Sequence, residues 1–415
     1  MTATSVIMSA LTLAATSGDL PVNGGVRLPE SLVGNPLVEE WDTPYQTPPF
    51  SEIELAHYEP AFDYAIAVNR AEVESIIKNP EAPTFENTIV AMTESGELLG
   101  RVAGLFFVLN NCSTSDEMQQ IAMNITPKLT ELENDISLNP ELFARVKAVY
   151  DQRKKLKLDE QDMQLLEDTY KGFARSGALL EGRDKELYRE YSSELSQLTL
   201  KFGQNAQAAT NAFSYNITDP AKVEELPAFV KEGLAAEAEA RGEKGWTVTL
   251  HAPSYSPFMT YSTQRDIKEA LYRAYNTRGI GGETDNVENI RRIAELRLKI
   301  ANLLGYKCYA DYVLEDRMAE STKTVNGFLA ELNKATLSYA KKDVAAITEY
   351  AHSLGFEGEL APWDFGYYNE KYKEAKYAIN DEQIKPYLQL ENVKNAVFML
   401  AGKLYGLTFT PVDNI

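Results

Sequence analysis

The sequence predicts a mainly α-helical fold with one or two short strands. Apolar residues recur at helical spacing through most of the chain between Glu59 and Tyr405. Residues suited to helix capping stand ahead of several of these stripes. Only Trp246–Leu250 and Leu407–Thr410 read as strands. The chain of 415 residues is long enough for more than one domain and a large core. Hydrophobic residues make up 44% and charged residues 25%, the balance of a globular protein. A net charge of −20 argues against phosphate-backbone binding as the main activity. Cys112 and Cys308 are the only cysteines, too few for a disulfide framework and without metal spacing.

In chain order, Val6–Ala15 is a short apolar run, and Ala15-Thr16-Ser17 would serve as a small-x-small cleavage site. No Lys or Arg precedes Arg27, so a basic lead-in is missing; the run reads as a clipped export signal or a disordered tail. It is too short to span a bilayer, and no other segment is a candidate. Residues 19–51, rich in Gly and Pro, read as an extended leader. Helices are expected from about Glu59, then as one long apolar helix from Phe85 to Leu109. Thr114 and Glu117 fit a capping box ahead of a stripe at Ile121, Ile125, Leu129, Leu132 and Ile136. Asp159 can cap the next helix, and Leu187, Tyr191, Leu195, Leu198 and Phe202 mark another.

Asp219-Pro220 suggests a subdomain junction. A short acidic helix ending near Gly242 follows it, and then the first strand candidate. Ser256-Pro257 reads as a cap and a helix-starting proline. Further stripes lie at Ile290, Ile293, Leu296, Ile300 and Leu303, and, after a cap at Thr322, at Phe328, Leu332, Ala335 and Tyr339. Val393, Val397, Leu400 and Leu404 form a last stripe that Gly406 should stop.

The stretch from Ala361 to Thr410 organises the rest. It runs through Ala361-Pro362-Trp363-Asp364-Phe365-Gly366-Tyr367-Tyr368, then Asp381–Val393, and closes with Lys403-Leu404-Tyr405-Gly406-Leu407-Thr408-Phe409. The order of these words resembles the thimet-oligopeptidase family of zinc peptidases (family M3), above all its bacterial peptidyl-dipeptidase branch. Pro60-Ala61-Phe62, Asn79–Thr88, Phe258–Arg278, Leu304-Gly305-Tyr306 and Tyr309–Met318 resemble it too, so the likeness covers nearly all of the chain from Pro49.

The resemblance implies a multi-helical channel-type peptidase fold of two subdomains, of which this chain would be the N-terminal part. A leader at 1–25 would precede an N-terminal helical domain at 26–220. Residues 221–415 would begin the catalytic domain and stop before the zinc site. It also implies short unfolded peptides as substrates, a zinc cofactor bound outside this chain, and release of C-terminal dipeptides. Endopeptidase action on oligopeptides is the alternative within the family. A non-catalytic helical peptide-binding protein is the rival from another class. The parent protein would be exported if an upstream basic region completes the signal, and cytoplasmic otherwise.

A zincin site needs His-Glu-x-x-His on a helix, so that two imidazoles one turn apart grip the metal. His57, His251 and His352 each lack a neighbouring glutamate and a histidine four residues on, so no catalytic or metal residue is assigned. Residues 1–415 alone are expected to be inactive. Gly279-Ile280-Gly281-Gly282 lacks the spacing of phosphate-binding loops and reads as an interhelical turn. Ser254, Ser256 and Ser262 near His251 lack a nucleophile-elbow sequence. Trp363, Asp364, Tyr367 and Tyr368 are the candidate substrate-cleft residues, because aromatic rings beside a carboxylate can line a peptide groove. The competing reading packs Trp363 in the core and uses Asp364 as a helix cap.

Overall fold

The computed structural model describes residues 22–378 and 381–412. The apolar run Val6–Ala15 and its cleavage point lie outside them. The fold is mainly helical, and the strands among the described residues form two antiparallel pairs. The chain divides into two compact units, with the boundary between Ser196 and Gln197 inside one long helix.

In the first unit, β1 (Val22–Asn23) and β2 (Val26–Arg27) make a minimal hairpin. The helices that follow are α1 (Tyr58–Ile77), α2 (Ala91–Glu94), α3 (Glu97–Cys112), α4 (Asp116–Ser137), α5 (Pro140–Asp151), α6 (Glu160–Arg175) and α7 (Gly182–Ala212). Tyr58, Phe62 and Phe106 are fully buried, and the Phe106 ring meets the other two edge-on at 5.0 and 5.6 Å. Each such ring contributes about 2–3 kcal/mol by leaving water. A second cluster gathers Val73, Ile76, Ile89, Leu142, Val146 and Leu166. Arg145 ties the loop before it in place, donating to the Asn79 carbonyl at 3.0 Å and to Asn87 Oδ1 at 3.2 Å.

The single helix expected over Phe85–Leu109 is broken. A π-helical turn, Phe85–Val90, passes into α2, and α3 starts afresh after Gly96. Gly96 sits at φ +79°, where a Cβ would lie 2.9 Å from the Asn69 amide nitrogen. Its N–H donates to Glu72 Oε2 at 2.8 Å, so a long-range bond replaces the helical one. The cap of α4 also differs. Ser115, not Thr114, accepts the Met118 N–H at 3.2 Å, while the Thr114 hydroxyl turns back to Asn110 Oδ1 at 2.8 Å. Asp159 caps α6 as expected, accepting the Asp162 N–H at 2.9 Å.

The second unit takes the rest of α7, then β3 (Ser214–Ile217), α8 (Ala228–Ala240) and β4 (Trp246–Thr249). The strand expected at Trp246 pairs with β3, Ser214 opposite Thr249 and Ile217 opposite Trp246. Gly245 makes the approach possible: a Cβ there would fall 2.2 Å from the Ile217 carbonyl oxygen. Val248, Leu250, Leu234, Phe258, Ile267 and Leu271 form the core around this pair.

Next come α9 (Ala252–Tyr261), α10 (Arg265–Asn276), α11 (Val287–Leu303), α12 (Tyr309–Leu314), α13 (Thr322–Ser353), α14 (Pro362–Tyr377), α15 (Asp381–Ile384) and α16 (Leu390–Tyr405). Helix α9 starts at Ala252, so Pro257 lies inside it instead of opening a helix. Ser321 caps α13 in place of Thr322, accepting the Thr324 N–H at 3.1 Å. Gly406, at φ +67°, ends α16 as expected. Leu407–Thr410 is not a strand: no described segment pairs with it, and Phe409 instead stacks on Phe398 of α16 at 4.4 Å.

Candidate functional site

Trp363, Asp364, Tyr367 and Tyr368 all lie in the first two turns of α14, and α10 supplies what faces them. On α10, Arg265, Lys268 and Tyr272 are three and four residues apart and share one face. Arg265 Nε lies 3.0 and 3.2 Å from the two oxygens of Asp364, and its Nη2 is 3.1 Å from Oδ2. Asp364 is 1% exposed, whereas the Arg265 side chain is 53% exposed. The carboxylate raises the pKa of the guanidinium through this hydrogen-bonded contact.

Asp364 does not precede its helix. It is the third helical residue and reaches back to the Ala361 N–H at 2.9 Å, so one carboxylate closes the first turn and fixes Arg265. Trp363 is partly buried. Its ring lies 5.8 Å from that of Tyr272, with Arg273 over its face at 5.3 Å. Its Nε1 is buried without a hydrogen-bond partner among the described residues, as is Glu370 Oε1 two turns further along α14.

Lys268, 2% exposed, carries its Nζ 4.9 Å from the centre of the Tyr367 ring. Burial lowers its pKa to about 8, against the pull of Asp364, with Arg265 adding to the depression. Tyr367 and Tyr368 meet edge-on at 5.1 Å, and Phe356 packs against Tyr368 at 5.2 Å. Burial raises the pKa of the Tyr368 phenol.

The four sequence candidates thus stand together, joined by Arg265, Lys268, Tyr272 and Phe356, which sequence reasoning did not single out. The cationic and aromatic face of α10 was the available signal. The arrangement presents aromatic rings and one exposed cation whose position is set by a buried carboxylate. Such a face can hold an extended peptide by ring contacts and charge.

The histidines and serines are engaged locally. His57 Nδ1 takes the Glu54 N–H at 3.0 Å, and His352 Nε2 lies 2.8 Å from the Gly358 carbonyl. His251 sits 3.2 Å from Thr249 Oγ1 and 3.1 Å from Asn211 Oδ1. Ser254 accepts the Thr249 N–H and Ser262 the Gln264 N–H. Among the described residues no three His, Cys, Asp or Glu side chains stand close enough to hold a metal ion. These residues therefore do not fit a zinc centre. No described helix is long and apolar enough to cross a membrane.

Residues 258–415, which include α10 and α14, match the model of Peptidase family M3. The chain is 34% identical over 381 residues to the dipeptidyl carboxypeptidase of Escherichia coli K12, covering 90% of this chain and 56% of that protein. To the dipeptidyl carboxypeptidase of Salmonella typhimurium it is 33% identical, with the same coverages of 90% and 56%. To oligopeptidase A of Salmonella typhimurium it is 31% identical over 379 residues, 90% of this chain and 55% of that one. The chain thus spans about half the length of these relatives.

Proposed function

We propose that this chain is the front part of an M3 metallopeptidase that acts on short unfolded peptides and releases dipeptides from their C-termini. The observation that carries this reading is its 34% identity over 381 residues to a dipeptidyl carboxypeptidase. The face formed by Trp363, Tyr367, Tyr368 and Arg265 supports it as a substrate-cleft wall. Residues 221–415 would open the catalytic domain, with the zinc held by other residues. Oligopeptidase A, at 31% identity, favours a second reading as an oligoendopeptidase.

The test is a chelator-controlled digest by protein expressed from the whole reading frame that encodes the chain. The substrates are a free-acid decapeptide and its C-terminal amide, with products read by mass spectrometry. A dipeptide ladder from the free acid alone supports the first reading, and internal cuts in both peptides support the second. Tight peptide binding without any chelator-sensitive cleavage would overturn both in favour of a non-catalytic binder. Under the same proposal Val6–Ala15 directs export, with a cytoplasmic protein as the alternative, and sequencing the mature amino terminus separates the two.

A further inference from the structure

We infer that the first unit holds a binding site for a small amphipathic organic cation, independent of any peptidase activity. A cavity of about 450 Å³ lies where α3, α4 and α6 meet over α1. That volume is in the range of small-ligand pockets. Leu99, Leu132, Ile136 and Phe173 give it an apolar wall.

Asn69, 6% exposed, also lines the cavity. Its amide nitrogen has only a long contact, 3.5 Å, to Glu72 Oε2, and its carbonyl oxygen accepts no hydrogen bond among the described residues. An acceptor left open on a cavity wall can take a donor from a ligand. Glu133 and Asp168 stand at the rim. Asp168 accepts only from the neutral Gln164 amide at 2.8 Å, and neither carboxylate has an ion-pair partner among the described residues.

A ligand that answers all three features has an apolar body and an N–H-bearing positive charge at one end. The body takes the Leu and Phe wall, the ammonium reaches the Asn69 oxygen, and Glu133 and Asp168 on the same lining supply the opposite charge. A neutral body leaves the carboxylates unanswered, and an anion is repelled.

Calorimetric titration of the purified chain with tryptamine tests this. Saturable one-to-one binding is expected, at least about tenfold tighter than for 3-ethylindole or indole-3-propionate. The double variant Glu133→Gln/Asp168→Asn, altered only at exposed positions, should remove that preference. Gly172→Phe should abolish binding, because Gly172 lines the cavity on α6. A Cβ there meets nothing within 4 Å, so the helix tolerates the change, and a circular-dichroism melt confirms the fold. Equal affinity for tryptamine and 3-ethylindole would overturn the inference. So would tryptamine binding that survives in a folded Gly172→Phe variant.

Discussion

The Arg265 guanidinium engages the Asp364 carboxylate side-on, with Nε 3.0 Å from Oδ1 and Nη2 3.1 Å from Oδ2. One partner is buried and the other is open to solvent, so the consequences of removing them differ. Without Arg265 the buried carboxylate keeps the Ala361 N–H and the nearby Lys268 charge, but loses its bidentate partner. Arg265→Met is therefore expected to cost about 2–4 kcal/mol by urea denaturation. Adding Asp364→Asn should recover part of that loss, a non-additivity a double-mutant cycle reads directly. Arg265→Lys should behave more like Arg265→Met than like wild type, because an ammonium cannot reproduce the two-point contact.

Lys268 gives a pH signature. Unfolded, it titrates near its ordinary value of 10.5, and folded near 8. Between those values the folded chain holds fewer protons, so stability from this group rises with pH. Its penalty is full below about pH 8 and fades toward pH 10.5. Lys268→Met should thus stabilise the protein at pH 7 by about 1–2 kcal/mol, with the gain shrinking by pH 10. Paired thermal melts at the two pH values check this, and a gain that grows with pH would refute it.

Purified residues 1–415 are expected to hold no stoichiometric zinc. Three protein ligands at about 2.0–2.3 Å are the usual minimum for a catalytic site, and His57, His251 and His352 are each engaged with local partners. Metal analysis after dialysis against micromolar zinc is the measurement. One zinc per chain, lost on mutating any of the three histidines, would reverse the conclusion.

The stripes on α13 and α16 predict self-association. Phe328, Leu332 and Tyr339 are 64%, 47% and 66% exposed, and Val397, Leu400 and Leu404 are 56%, 53% and 63% exposed. Contiguous apolar faces of this kind drive association. Sedimentation of the purified chain should show concentration-dependent oligomers, and Leu332→Lys with Leu400→Lys should shift it toward monomer.

Those stripes also show what the sequence conveyed and what it withheld. Capping placed the start of α13 within one residue, and Gly406 placed the end of α16, because both are local properties. Burial is not local: spacing alone does not say whether another element covers a face. The break at Gly96 was hidden for the same reason, since it depends on Glu72 and Asn69, which are far off in the chain. Strand β4 was legible from its alternation, whereas its partner β3 followed a helical stripe and carried no signal of its own. At the site, the aromatic–acidic run from Trp363 to Tyr368 stood out as a cluster in sequence. Arg265 lies 99 residues away, and only folding reveals it as the partner of Asp364.

From residue 326 to 345, α13 is exposed on every side, whereas Ile347 and Ala351 near its end are buried. Its first two-thirds therefore rest on their own backbone hydrogen bonds, which are marginal in water without tertiary support. Opening there costs far less than unfolding the unit, so these amides should exchange with deuterium orders of magnitude faster than those around Ile347. Limited proteolysis should find the same place first, cutting after Lys334, Lys341 or Lys342 while the paired strands and α10 stay intact.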